Sequence, residues 1–319
     1  MIQEQIVHFL KHSHGYLSGE EISRSLNISR AAIWKYIQEL RKDGYEIEAV
    51  PHLGYKIVDV PDKLLAQEVQ FELQTKIFGS KFFYHETLVS TMDEAFRLGM
   101  EGAPEGAVVC AETQTKGRGR LGRSWSSPKY KGVYCSIILR PRLSAADLSK
   151  LTLLSAVAVA EAVEKVSGVQ AMIKWPNDLL VKSKKLAGIL TELRAEVDQM
   201  KFVVIGLGIN INNSGAQLIE GATSLKNEAG QTFSRVEVLQ EILRAFERWY
   251  VRCNKEGFDE LFKAWKERSA TLGKRVRITD PASIVEGVAV DLDSDGGLLI
   301  RQDSGVVVKK LAGDVVQLR

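Results

Sequence analysis

Gly117, Gly119 and Gly122, with Arg118 and Arg120 between them and Arg123 and Trp125 just beyond, limit this chain's folds more than any other stretch. The glycine spacing matches GxGxxG, the pattern of a dinucleotide-binding turn. Such a turn needs a strand before its first glycine and a helix opening at its last, so that the helix N-terminus faces the pyrophosphate. A strand fits Gly106 to Ala111. No helix fits the residues after the last glycine, because Ser126, Ser127, Pro128 and Lys129 lead into a second strand-like run from Val133 to Leu139. The segment is therefore a long loop between strands. Its glycines allow close backbone approach, and its arginines present fixed forks of donors to phosphate or carboxylate oxygens. From Thr113 to Ala146 there are eight Lys or Arg residues and no Asp or Glu. A solvated basic loop accounts for this composition; so does an anion clamp that closes over a ligand.

A length of 319 residues exceeds one small core and implies two or three domains. The net charge of +3 is too small for a chain coated in nucleic acid or spread on a membrane, so any anion site is local. Cys110, Cys135 and Cys253 are odd in number and widely spaced, which suits reduced packing residues. With no charged segment and apolar core at the N-terminus, the expected compartment is cytoplasmic. The apolar run from Leu151 to Val163 is far short of the ~20 residues of a membrane span. No metal-ligand cluster stands out.

Ile2, Ile6, Phe9 and Leu10 have helical spacing, and Ser18 with Glu21 forms a capping box for a second helix through Leu26. Asn27 makes a turn. Ser29 caps a third helix from Arg30 to Lys42, with Ile33, Ile37 and Leu40 inward. Short strands at Tyr45 to Val50 and Tyr55 to Val58 flank a turn at Pro51 to Gly54. This order resembles the winged helix-turn-helix family of DNA-binding domains, which places Ser29, Arg30, Trp34, Lys35 and Gln38 nearest DNA. Trp34 also suits a core position, and the whole domain suits protein contact. Through Asp59 there are seven Lys or Arg against eight Asp or Glu, so one such domain binds DNA weakly.

After a linker at Val60 to Asp62, a helix is expected from Lys63 to about Thr75, a strand at Phe82 to Tyr84 and a helix from Met92 to Glu101. Ser90 and Thr91, at the junction between the last two, suit helix capping and ligand binding equally. A buried helix is expected from about Ala145 to Val166. Pro176, Asn177 and Asp178 then interrupt strand-like sequence after Lys174, and a return strand begins near Lys185 and Gly188. Gly206 and Gly208 leave one face of the strand Val203 to Ile211 bare, so that a ligand ring or another backbone can lie flat on it. Helices to about Arg268 precede several short strands with turns at Asp280 to Pro281, Asp293 to Gly297 and Asp303 to Gly305, which suggest a small barrel.

The loop at Gly117 to Trp125, the segment Lys174 to Asp178, Lys185 to Gly188 and the strand Gly206 to Asn210, in that order, resemble the biotin protein ligases. The resemblance is to the bifunctional bacterial type that also represses biotin operons, and it covers essentially the whole chain. It implies an α+β chain: a winged helix-turn-helix at residues 1–60, a central mixed-sheet ligase domain of the biotinyl/lipoyl ligase, class II synthetase-like type at 63–270, and an SH3-like barrel at 271–319. The implied activity converts biotin and ATP into biotinyl-5'-AMP and passes biotin to a lysine of a biotin carrier protein. Operator DNA, a homodimer in the adenylate-bound state and Mg²⁺ are implied partners. A DNA-binding biotin sensor without transfer is the alternative.

By the same resemblance, Ser90, Thr91, Gln114, Arg118, Lys185, Gly188, Gly206 and Gly208 hold biotin. Gly117, Arg118, Gly119, Arg120, Arg123, Trp125, Lys174, Asn177 and Asn210 hold ATP, and Lys185, Arg118 and Asp178 carry the catalysis. One departure stands out: Met92 follows Ser90 and Thr91 where the family usually has Asn.

Overall fold

The computed structural model describes residues 2–13, 15–141, 147–196, 199–280 and 283–318, which form two compact units, Met1–Glu72 and Leu73–Arg319. In the first, α1 (Ile2–His12), α2 (Gly19–Leu26) and α3 (Arg30–Asp43) precede a hairpin of β1 (Glu46–Val50) and β2 (Gly54–Asp59). Local chemistry sets the turns. Ser18 and Glu21 form both halves of the capping box, Asn27 closes α2 in the left-handed region at φ 52°, and Ser29 Oγ accepts from Ala32 N at 3.2 Å. Ile6, Leu10, Ile22, Ile33, Ile37 and Leu40 make the core.

The helix expected from Lys63 to about Thr75 is a single turn, α4 (Ala66–Val69). Glu72 and Gln74 adopt φ of 52° and 61°, which no right-handed helix accommodates. Leu64, Leu65 and Val69 are buried instead, and buried Glu68 accepts from Lys11 Nζ at 2.6 Å and Tyr45 Oη at 2.5 Å.

In the second unit, β3 (Phe82–His85), α5 (Thr91–Met100) and β4 (Val108–Ala111) form a parallel crossover. Beyond β4 the chain departs from dinucleotide-binding topology. The glycine loop returns into β5 (Gly132–Leu139), antiparallel to β4, with Val109 opposite Ser136. α6 (Leu148–Ser167) is the buried helix; the beginning expected for it at Ala145, and Arg142 before it, lie outside the described residues, as does Pro281. Three short-turn strands come next, β6 (Met172–Lys174), β7 (Asp178–Val181) and β8 (Lys184–Glu196), and then β9 (Gln199–Asn210). The mixed sheet runs β3-β4-β5-β9-β8-β7-β6.

Phe202 and Val204 on β9 pack with Met92, Ala95 and Leu98 of α5, while their alternates Val203, Ile205 and Leu207 are buried as well. Both faces of the sheet are thus covered. After α7 (Leu225–Ala229), α8 (Arg235–Glu256) and α9 (Asp259–Glu267), a five-stranded antiparallel sheet closes the chain. Its strands are β10 (Arg275–Asp280), β11 (Ser283–Leu292), β12 (Leu298–Arg301), β13 (Val307–Lys310) and β14 (Asp314–Gln317).

Candidate active site

A cavity of about 420 Å³ lies where the glycine loop, α5, β8, β9 and the start of β14 meet. Its floor is set by the strand pairing. Gly188 stands opposite Gly208, and Leu190 opposite Gly206, so three glycines share one patch of sheet. What covers them belongs to the chain itself. A Cβ at Gly208 would lie 2.5 Å from Trp125 Cε2, one at Gly188 3.0 Å from Trp125 Cζ3, and one at Gly206 2.7 Å from Met92 Sδ. The sequence points to a ligand ring or another backbone on the glycine face; in the structure the Trp125 indole covers it instead, and Met92 fills the adjoining space. Trp125 Nε1 is buried there with no hydrogen-bond partner.

The loop that carries this indole is a tight hairpin. Trp125 N donates to Gly117 O at 2.9 Å and Gly119 N to Arg123 O at 2.7 Å. Its three arginines each meet oxygen acceptors. Arg118 pairs with Asp93 at 2.8 Å and Glu192 at 3.3 Å. Arg120 donates to Asn177 Oδ1 at 3.0 Å and Gly313 O at 3.4 Å, and Arg123 pairs with Asp314. Burial pulls the Arg120 guanidinium below its ordinary range, with Asp314 and Asp178 opposing that shift. A half-desolvated cation of this kind gains most from an anion brought alongside it.

Across the floor, Lys185 Nζ lies 2.6 Å from Asp178 Oδ1 and 5.5 Å from the Trp125 ring. The strand positions the lysine, since Lys185 N donates to Gly221 O and Lys185 O accepts from Thr223 N, both at 2.8 Å. Asn177 holds the turn before Asp178 by donating from Nδ2 to Ile189 O at 2.7 Å. On the far side, Thr91 N and Oγ1 both donate to Gln114 Oε1, and Ser136 Oγ donates to Thr91 Oγ1 at 2.9 Å. Beside Gln114 the root of the loop is anchored by a fully buried ion pair, Arg235 Nη1 to Glu112 Oε2 at 2.6 Å.

Of the residues expected to hold biotin or ATP or to carry the catalysis, Thr91, Gln114, Arg118, Gly119, Arg120, Arg123, Trp125, Lys174, Asn177, Asp178, Lys185, Gly188, Gly206 and Gly208 line this one cavity. Three others sit elsewhere. Ser90 is buried, and its Oγ caps α5 by accepting from Met92 N at 3.2 Å. Gly117 closes the hairpin, where a Cβ would lie 2.6 Å from Trp125 O. Asn210 is buried and donates from Nδ2 to Thr223 O at 3.0 Å.

Lining residues not anticipated include Met92, Leu190, Ile219, Gly313 and Asp314. Period-two spacing from Gly188 would have found Leu190. Nothing local marks Asp314, which meets the loop across 191 residues of sequence.

In the first unit, Arg30, Trp34 and Lys35 are exposed on one face of α3 with Gln38 half-buried beside them, and Ser29 is its exposed cap. Trp34, at 59% exposure, is not a core residue.

Comparison with known proteins agrees with this layout. Residues 2–56 match an HTH domain, 84–210 the biotin/lipoate A/B protein ligase family, and 271–317 the biotin protein ligase C terminal domain. The chain is 40% identical to the bifunctional ligase/repressor BirA of Bacillus subtilis, over 97% of this chain and 96% of that protein. It is 30% identical to the protein of the same name from Escherichia coli, over 95% and 92%. The structure of biotin protein ligase from Aquifex aeolicus in complex with biotin and ATP superposes with a TM-score of 0.66 at 29% identity, covering 75% of this chain and 99% of that one. With a helix-turn-helix, a ligase domain and the ligase C-terminal domain in one polypeptide, the chain belongs to the bifunctional biotin protein ligase/repressor family.

Proposed function

We propose that this chain activates biotin with ATP in the cavity under the glycine loop, transfers it to a lysine of a biotin carrier protein, and represses transcription in response to biotin. The observation that carries this reading is the convergence of Lys185, Arg118, Arg120 and Arg123 on a glycine floor. In the first step a biotin carboxylate oxygen attacks the α-phosphorus of ATP and pyrophosphate leaves. Two anions must meet, and preorganised cations offset their repulsion. Lys185 is assigned the bridge between carboxylate and α-phosphate, Arg118 the carboxylate and phosphate, and Arg120 and Arg123 the nucleotide and pyrophosphate.

Thr91 and Gln114 are assigned the ureido ring of biotin, and Trp125 moves from the floor to cover the nucleotide. In the second step the acceptor amine attacks the acyl carbon and AMP leaves. The amine must first lose a proton, and Asp178 is the carboxylate placed to orient it or take that proton. Mg²⁺ would arrive with the nucleotide and would supply positive charge against its phosphates.

The assigned domains are residues 1–60 for DNA, 63–270 for ligation and 271–319 for the C-terminal sheet. The DNA contacts are Ser29, Arg30, Trp34, Lys35 and Gln38. Because one near-neutral winged helix binds weakly, repression is assigned to a homodimer whose two half-sites raise the effective concentration. We place the protein in the cytoplasm; no helix among the described residues is long and apolar enough to cross a membrane.

Biotin-dependent ATP/pyrophosphate exchange, followed by labelling of a carrier domain, tests the ligase. DNA binding with no labelled product on any carrier would select a sensor instead, and competition by lipoate for the biotin site would redirect the substrate. Adenylate is expected to tighten self-association, and sedimentation with and without it tests this; an unchanged association constant would remove the coupling between adenylate and the dimer.

A further inference from the structure

On α3 the side chains turned to water are not all polar. Trp34 is 59% exposed, and Ala31, one turn earlier, is exposed beside it, while Ile33, Ile37 and Leu40 form the opposite, buried face. Residues three apart are neighbours on a helix surface, so Ala31 and Trp34 make one apolar strip. Arg30 and Lys35 flank it, and Gln38 lies one turn beyond.

With Val50, Pro51 and His52 of the wing, the same strip lines a concavity of about 680 Å³. No carboxylate lies from Ser29 to Gln38, and α3 has no acidic residue in its first turn. Glu20, which also lines the concavity, is paired with Arg24 at 3.0 Å. Anionic DNA backbone can therefore approach this face while an indole and a methyl group are presented to whatever lies between the phosphates.

In the major groove one base carries an apolar group: thymine, through its C5 methyl. Hydrogen-bonding edges offer nothing to an indole face or an alanine methyl, whereas a thymine methyl gains by leaving water against them. We infer that Trp34, with Ala31, reads thymine methyl groups, so that each operator half-site carries thymine where the first half of α3 enters the groove. Arg30, beside the strip, supplies the hydrogen-bonding contact to a neighbouring guanine. This inference rests on α3 being the DNA-reading helix and adds which bases it distinguishes.

The test begins with duplexes selected from a random-sequence library by the full-length protein in the presence of biotin and ATP. Each thymine of the selected site is then replaced in turn by uracil, which removes the methyl and leaves the pairing unchanged, at one fixed salt concentration. Wild-type binding is expected to fall about three- to fivefold at one or more positions in each half-site, the value of one buried methyl-sized group. Trp34→Ala is expected to bind thymine and uracil duplexes alike while pyrophosphate exchange stays at the wild-type rate. Should that variant bind no duplex, Trp34→Phe carries the test, since it keeps a ring and should keep the thymine preference. Wild-type binding that ignores the substitution at every position, a preference that survives in Trp34→Ala, or a preference lost in Trp34→Phe with binding intact overturns the inference. If no duplex is bound at all, the repressor reading falls together with it.

Discussion

Replacing Gly208 by alanine asks directly whether the glycine floor is a binding surface. The added Cβ would stand 2.5 Å from Trp125 Cε2 and 2.7 Å from its Nε1, whereas nonbonded carbons settle near 3.5–4.0 Å. The indole, or a ligand lying in its place, must therefore retreat by roughly 1 Å. Overpacking of this size costs about 1–3 kcal/mol, or roughly 5- to 150-fold in an equilibrium constant. The loss should fall on ligand binding and loop closure more than on folding, because the methyl projects into the cavity. Biotin affinity by calorimetry and the rate of biotin-dependent pyrophosphate exchange are the assays, with Gly15→Ala as control, since a Cβ at Gly15 meets nothing within 4 Å. Affinity and exchange within twofold of wild type would refute the floor as the place where biotin lies.

Three further outcomes are expected. Lys185→Ala should lose adenylate formation, whereas Asp178→Asn should keep pyrophosphate exchange and lose transfer to the carrier; equal loss of both steps in Asp178→Asn would remove its role in the second. Glu112→Ala removes the carboxylate that neutralises Arg235, a guanidinium with no solvent exposure that would keep uncharged acceptors such as Gly132 O, and should lower stability by about 3–5 kcal/mol in urea unfolding; a change below about 1 kcal/mol would show that the pair is not what anchors the loop root. Glu86 near that root would be raised by burial, but hydrogen bonds from Lys129, Tyr130 and Tyr84 outweigh this and hold it at about 2. A carboxyl depressed on folding stabilises fully above its ordinary value of 4.5 and loses that contribution as pH falls toward 2. Proteolysis of the loop should therefore rise across that interval in the wild type and less so in Glu86→Gln, and identical acid profiles would refute the assignment.

Local rules made much of the molecule legible from its residues. The capping box at Ser18 and Glu21, the turn at Asn27, the buried stripe of α3 and the absence of a helix after Gly122 each depend on neighbours within about four positions, where covalent geometry dominates. The same holds for Pro176 and Asn177 as a break between strands, although Asp178, expected in that break, opens β7. The helix expected at Lys63 to Thr75 failed because side-chain spacing there says nothing of the left-handed residues Glu72 and Gln74 that stop it.

The candidate site divides in the same way. Sequence alone determined which side chains were chemically suited to anions, that Gly206 and Gly208 would leave a face bare, and in what order these features occur. Only the tertiary structure decided what each one meets. It placed Ser90 under α5 as a cap, laid Trp125 and Met92 over Gly188, Gly206 and Gly208, turned Arg118 toward Asp93 and Glu192, and brought Asp314 to Arg123. Those contacts join residues up to 191 positions apart, and they are selected by how a seven-stranded sheet, its helices and a C-terminal sheet pack together. A residue's type sets what it can bind, but its partner is set by strand register and packing, which no local window of the chain contains.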